Sequence, residues 1–368
     1  MKQKTSNCTW PCLAWRLPWL LLIFIGLWLP KLAESYPQKA EWYAEKIYPV
    51  IAGILGFLSS IWTFSLVEFI LYGTVLGAVV SCLVYLLLWI RKRIPLANLV
   101  SFFMSLAIAG GVILNAFYLT WGFNYARPTL YQILDLPLQE RPADELKELC
   151  DSLCMQAASL RLHVSEDKEG VFTLPDGWRA YFRKIPQAYE ALGQEITLFS
   201  QRVYPAKGVV ASEGMSYAGI AGIYIPYTAE ANVNVHQPAL LLLSSAAHET
   251  AHYLGVAKED EANFVAYLAC TKSDDPAIAY SGVMLALIHC MNKLREADPA
   301  AFLEVRQKYS DAMVRDIRQY NAYWEAYDGA VQEAVDNMND AYLKHNQQEN
   351  GVRSYGLMVD LLLAWHFQ

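Results

Sequence analysis

Leu240-Leu241-Leu242-Leu243-Ser244-Ser245-Ala246-Ala247-His248-Glu249-Thr250-Ala251-His252-Tyr253-Leu254-Gly255 is the stretch on which the reading of this chain turns. The apolar run after Pro238, closed by Gly255, predicts a helix. Positions i and i+4 of a helix share a face, so His248 and His252 can aim both imidazoles at one metal ion, with Glu249 beside them. A surface helix that happened to carry two histidines would not need so many leucines and alanines. Burying two His and a Glu among them requires compensation, and a metal supplies it.

A catalytic zinc site takes three protein ligands and keeps one position open. The third ligand is sought in the next element, Lys258-Glu259-Asp260-Glu261-Ala262-Asn263, an acidic helix start followed by an apolar face. Glu261 is the expected ligand, one turn into that helix, with Ala262 beside it leaving room. Glu259 and Asp260 are the alternatives, expected to face water and the helix dipole. Asn263 is placed to orient a ligand or the backbone. Such a Zn2+ site would acidify water and polarise a carbonyl, with Glu249 as general base. Tyr280, shortly after the acidic helix, is the expected oxyanion donor, with Tyr224 and His289 behind it. Gly219 to Pro226 is the strand-like segment along which a substrate backbone would pair.

The composition surrounds this motif with two different materials. The chain has 368 residues, 55% of them apolar and only 18% charged, against about 25% charged in ordinary soluble domains. Its net charge of −7 argues against a nucleic-acid partner, and the apolar content excludes a disordered chain. Residues 1–128 carry ten Lys/Arg against four Asp/Glu (net +6), and residues 129–368 carry nineteen against thirty-two (net −13). The expected organisation is a transmembrane anchor over 1–120 and an extracytoplasmic domain over 121–368.

Within the anchor, spans are expected at about 14–31, 67–90 and 97–120. The first keeps Lys31 where a signal-peptide cleavage site would need a small residue, so it is read as uncleaved. Residues 47–66 are uncharged but interrupted by Pro49, Gly53, Gly56, Ser59 and Ser60, and are read as an interfacial segment in preference to a span. Arg91-Lys92-Arg93 lies in the short loop between the last two spans. The positive-inside rule puts that loop in the cytoplasm and everything after about residue 121 outside, for a multi-pass plasma-membrane protein. The outer domain reads as mainly helical with one small sheet near Gly208–Val235, an α+β class.

The pattern His248-Glu249-x-x-His252 followed by Glu261-Ala262-Asn263 resembles the gluzincin metallopeptidases, whose third ligand is a Glu from the next helix. Gluzincins often carry Asp where Asn263 stands. More closely, the chain resembles a family of bacterial membrane proteins known only as a domain of unknown function. That resemblance runs through Trp121-Gly122-Phe123-Asn124-Tyr125 with Arg127-Pro128, then Tyr217-Ala218-Gly219 and Gly222-Ile223-Tyr224 with Pro226. It continues in Glu230-Ala231-Asn232 with Asn234, Tyr280-Ser281-Gly282, and Gly351-Val352 with Ser354-Tyr355-Gly356. It implies three spans and an external zincin-like domain, and supplies no substrate.

The expected function is therefore a membrane-anchored zinc metallopeptidase whose partners are the lipid bilayer and a peptide or protein. A catalytically silent zinc-binding sensor or scaffold, and an amidase of a cell-wall substrate, are the alternatives. An intramembrane protease is disfavoured, because the apolar lead-in to His248 is too short to span. Glu230, Asn232 and Asn234 form a polar group that shapes a cleft or simply makes a turn. The seven cysteines show no zinc-ribbon spacing. Cys150 and Cys154 share a helix face, and a Cys270–Cys290 disulfide is considered across a helical hairpin.

Overall fold

The computed structural model describes residues 10–137, 139, 141–345 and 356–368. Gly351-Val352, Ser354-Tyr355 and Cys8 lie outside the described residues. Three long helices form the N-terminal part: Leu13–Glu34, Leu66–Ile90 and Leu96–Thr120. At 1.5 Å per residue the two 25-residue helices are each about 37 Å long, more than the roughly 30 Å of a hydrocarbon core. Large apolar side chains such as Phe69, Leu76 and Leu83 stay exposed along them. No aqueous surface favours that arrangement, so the chain is a membrane protein. The first helix packs on the third through small residues. Gly111 sits against Leu22 and Ile23, Gly26 against Leu114, and the Asn115 amide donates to the Leu22 carbonyl at 2.7 Å. Pro276–Ala297 is also long and apolar, yet 78% of its most apolar window is buried, which makes it a core helix.

Between the first two long helices the chain forms two shorter ones, Pro37–Lys46 and Tyr48–Ser60. The second carries the segment read from sequence as interfacial. Its Tyr48, Ala52, Gly56 and Ser59 are buried at helical spacing, and the residues opposite them are exposed.

The remainder is mainly helical with one three-stranded sheet. β1 (Lys207–Gly208), β2 (Gly222–Ile225) and β3 (Glu230–Val233) lie in the order β1-β3-β2. β1 runs parallel to β3, and β2 antiparallel to it, with Tyr224 opposite Ala231. β3 is buried throughout and packs on helix Ala239–Tyr253, called the metal helix below. The metal helix also packs against Glu259–Thr271, the acidic helix, and against Pro276–Ala297. Ala143–Arg161 closes the far side of Pro276–Ala297, and Gly356–His366 inserts beside both.

The cysteines correct one expectation. Cys270 lies against Gly282, whose missing side chain makes the room: a Cβ there would come within 2.2 Å of the Cys270 Cβ. Cys290 is eight residues further along, about 12 Å down the helix, and cannot pair with Cys270. Its thiol meets that of Cys150 instead. All four core cysteines, Cys150, Cys154, Cys270 and Cys290, are free and buried.

Candidate metal centre

The metal helix ends where its sequence says it should. Gly255 adopts φ +85°, its N–H donates to the His252 carbonyl at 2.8 Å, and Val256 N–H donates to Ala251 at 3.2 Å. This is a Schellman closure, which needs a residue tolerant of positive φ at that position. The turn also presents the Val256 carbonyl to the imidazole of His252, whose Nδ1 lies 2.7 Å away. A donor at Nδ1 leaves Nε2 as the ring's acceptor.

His248 is prepared in the same way. Its Nδ1 lies 2.8 Å from the Asn263 Oδ1, which turns its Nε2 towards the acidic helix. The two rings stand perpendicular, with centroids 4.7 Å apart. Both Nε2 atoms face the carboxylate of Glu259, at 3.1 Å for His248 and 3.7 Å for His252. Two bonds of about 2.1 Å at a tetrahedral angle place ligand atoms about 3.4 Å apart, so these separations fit the edges of a zinc tetrahedron. His248, His252 and Glu259 are the one group of this kind among the described residues, with their ligand atoms within 4.8 Å of one another.

Glu259 thus stands where Glu261 was expected. The reason is helical period. Glu259 and Asn263 are i and i+4 on the acidic helix, so the face that turns Asn263 to His248 also turns Glu259 to both imidazoles. Glu261, two residues on, points elsewhere. Its Oε1 accepts the backbone N–H of Leu130 at 2.8 Å and lies 3.7 Å from the Lys258 ammonium. Asp260 is buried but lies outside the group. Asn263, expected to orient a ligand or the backbone, is hydrogen-bonded to the His248 imidazole.

Charge is strongly coupled here. Burial raises the Glu259 carboxyl, but the imidazoles of His252 and His248 outweigh it and hold the group well below the usual carboxylate range. Burial likewise disfavours a charged His252, yet Glu259 prevails and holds the imidazole up at about 9. Glu249 is pushed up to about 7, chiefly by burial, with His248 and His252 pulling the other way. One of its oxygens takes the backbone N–H of Tyr224, and its Oε2 is buried without a hydrogen-bond partner. β2 lies directly over it: a Cβ on Gly222 would come within 2.5 Å of the Glu249 Oε1. A buried carboxylate with one oxygen held and one free, titrating near neutrality, can accept a proton from a water or substrate group.

Tyr280 does not belong to this site. Its hydroxyl donates to Asp316 Oδ2 at 2.7 Å, inside a buried cluster where Asp316 also takes Arg161 Nε at 2.6 Å and the Phe172 N–H at 2.8 Å. Tyr224 contributes its backbone amide, while its hydroxyl meets that of Tyr48 at 3.1 Å. His289 does approach the centre: burial, reinforced by His248, lowers its imidazole to about 4 and keeps it neutral. Glu230 proves structural. It accepts the N–H groups of Leu66 and Val67 at 2.9 Å each and pairs with Lys207. Asn234 donates to Ser216 and Ile220, shaping the turn before β2. Trp121 meets His252 edge to face with ring centroids 6.0 Å apart, a contact with no signal in the sequence.

A family model described as "Protein of unknown function (DUF3810)" matches residues 43–363, and the chain belongs to that family. No curated protein and no solved structure matches it.

Proposed function

We propose that this DUF3810 protein is a membrane-anchored zinc metallopeptidase with a zincin-like site, in which His248, His252 and Glu259 hold the metal and Glu249 is the general base. One observation carries the reading. Two imidazoles, each with its Nδ1 engaged by an oxygen, converge through Nε2 on one carboxylate, and a buried Glu with an unpartnered oxygen stands beside them. A structural histidine pair would not need both outer nitrogens tied off.

Zinc held there would polarise a scissile carbonyl and acidify water. The protein's own residues supply the rest. Tyr224 N–H steers the Glu249 carboxylate, so its Oε2 can take the proton of the attacking water and pass it to the leaving nitrogen. His289, neutral at pH 7 and electrostatically coupled to His248, would act as the oxyanion donor. β2 supplies a backbone edge beside Glu249 for an extended peptide. The Arg91-Lys92-Arg93 turn supports a cytoplasmic hairpin and hence an external site in the plasma membrane.

The test uses the purified full chain. Metal analysis is expected to find about one zinc per chain, lost in His248→Ala. Glu249→Gln is expected to keep the zinc and abolish cleavage. Protein termini generated outside the cell are then compared between wild-type and Glu249→Gln strains. Zinc present with identical termini would favour the silent sensor, and altered cell-wall fragments alone would favour the amidase. A protein without metal would remove the site altogether.

A further inference from the structure

We infer that helix Tyr48–Ser60 seats the metal centre on the lipid surface, and that the polypeptide taken there is a segment flanking a membrane anchor. The substrate half rests on the peptidase reading; the seat stands on separate geometry.

The helix has two apolar faces and no charge, since none occurs between Lys46 and Glu68. One face is bound to the metal helix. Tyr48 Oη donates to the Tyr253 carbonyl at 2.8 Å, and Tyr253 Oη returns a bond to Ala52 at 3.3 Å. Gly56 allows the close approach, because a Cβ there would come within 2.8 Å of the Tyr253 ring. The other face exposes Val50, Ile54, Phe57, Leu58 and Ile61 at 49% to 62%. These positions form one stripe at helical spacing, and the stripe leads within a few residues into the lipid-exposed helix Leu66–Ile90. That continuity makes lipid the occupant.

Three further contacts put the centre at the same level. Trp121, which meets His252 edge to face, directly follows Thr120, the last residue of helix Leu96–Thr120. The first turn of Leu66–Ile90 is gripped from both directions: Glu230 of β3 accepts Leu66 and Val67 N–H, and Glu68 accepts Val210 and Ala211 N–H at 2.8 Å each. Two span ends therefore meet the sheet and the metal helix on one side. Finally, Tyr227, two residues beyond β2, donates its hydroxyl to the Ile113 carbonyl at 3.1 Å. Ile113 lies seven residues before Thr120, about 10 Å down that helix. The strand over Glu249 thus descends towards the bilayer, and a chain pairing along it enters from the membrane side.

The seat is tested on the full chain with Cys8, Cys12 and Cys82 changed to Ser, in vesicles of phosphatidylethanolamine and phosphatidylglycerol. Nitroxides are attached at Ile54→Cys, Phe57→Cys and Ile61→Cys, with exposed Leu162→Cys as the aqueous reference. Dissolved oxygen should relax the three helix labels more than a water-soluble nickel chelate does, with the reverse at Leu162. Nickel access equal to that at Leu162, or exclusion of both reagents by a covering protein, overturns the seat. For the substrate, a randomised segment of about ten residues joins an apolar helix to a fluorescent reporter, directly or through a Gly/Ser spacer of about thirty residues. Release that depends on Glu249 and falls about tenfold with the spacer is expected. Equal release from both overturns the juxtamembrane assignment. Release from neither defeats the peptidase reading and the substrate with it, while the nitroxides still decide the seat.

Discussion

Glu259 and Glu261 differ by two positions and have separate tasks. Glu259→Gln should weaken zinc binding by more than about a hundredfold in a competition titration. Glu261→Ala should leave zinc binding unchanged and lower the unfolding free energy by about 1–3 kcal/mol, because the buried Leu130 N–H loses its acceptor. The opposite pattern would restore Glu261 as the ligand. Protonation gives a second test at this scale. His252 is held up at about 9 in the metal-free protein, so zinc must displace a proton from it at neutral pH. Zinc affinity should therefore rise with pH and level off above about 9. The same raised imidazole stabilises the metal-free fold below its ordinary value near 6.5, and that contribution is lost as pH rises through about 9. A pH-independent zinc affinity between 6 and 9 would refute the coupling.

At the scale of elements, the metal helix and β2 act together. Gly222 has no side chain because Glu249 occupies the space a Cβ would need. Gly222→Ala should displace β2 or the carboxylate, keeping zinc while lowering turnover by about tenfold or more. Unchanged turnover at full zinc content would mean that β2 does not position Glu249. Several element signals were legible. The apolar run, Gly255 and the i, i+4 histidines define the metal helix, and Glu259 with Asn263 repeats that spacing on the next. A first turn of this kind is expected to be solvated, but tertiary packing buries Asp260 and Glu261 and turns the half-buried Glu259 towards the two imidazoles.

Over the whole molecule, Asp316 is the hub that Tyr280 serves. It joins Arg161, Tyr280 and the backbone of Phe172, which lie 155, 36 and 144 positions before it in sequence. Asp316→Ala leaves a buried guanidinium without its main partner and should cost about 3–5 kcal/mol, read as a lower melting temperature in detergent. A change under about 1 kcal/mol would show that Glu166 and the Gly170 carbonyl suffice for Arg161. Zinc content, if the proposed site holds the metal, should fall only on unfolding, since Arg161, Phe172 and Tyr280 are the hydrogen-bond partners of Asp316 among the described residues.

By itself the sequence determined what depends on neighbours along one helix or on composition. The apolar, uncharged runs specify long helices that water cannot solvate. The His248–His252 spacing specifies a shared face with Glu249 beside it. The acidic remainder, mixing charge with Leu and Ala, specifies a mainly helical unit with one small sheet. The tertiary structure decided what depends on which faces meet. Only packing of the acidic helix on the metal helix brings Glu259 rather than Glu261 to the imidazoles, because both lie in its first turn and differ in direction. Only the fold withdraws Tyr280 into the Asp316 cluster, sets Cys290 against Cys150, and brings Tyr48 and Trp121 from the membrane segment under the histidines. Long-range contacts leave no period in the sequence, whereas a helix face does.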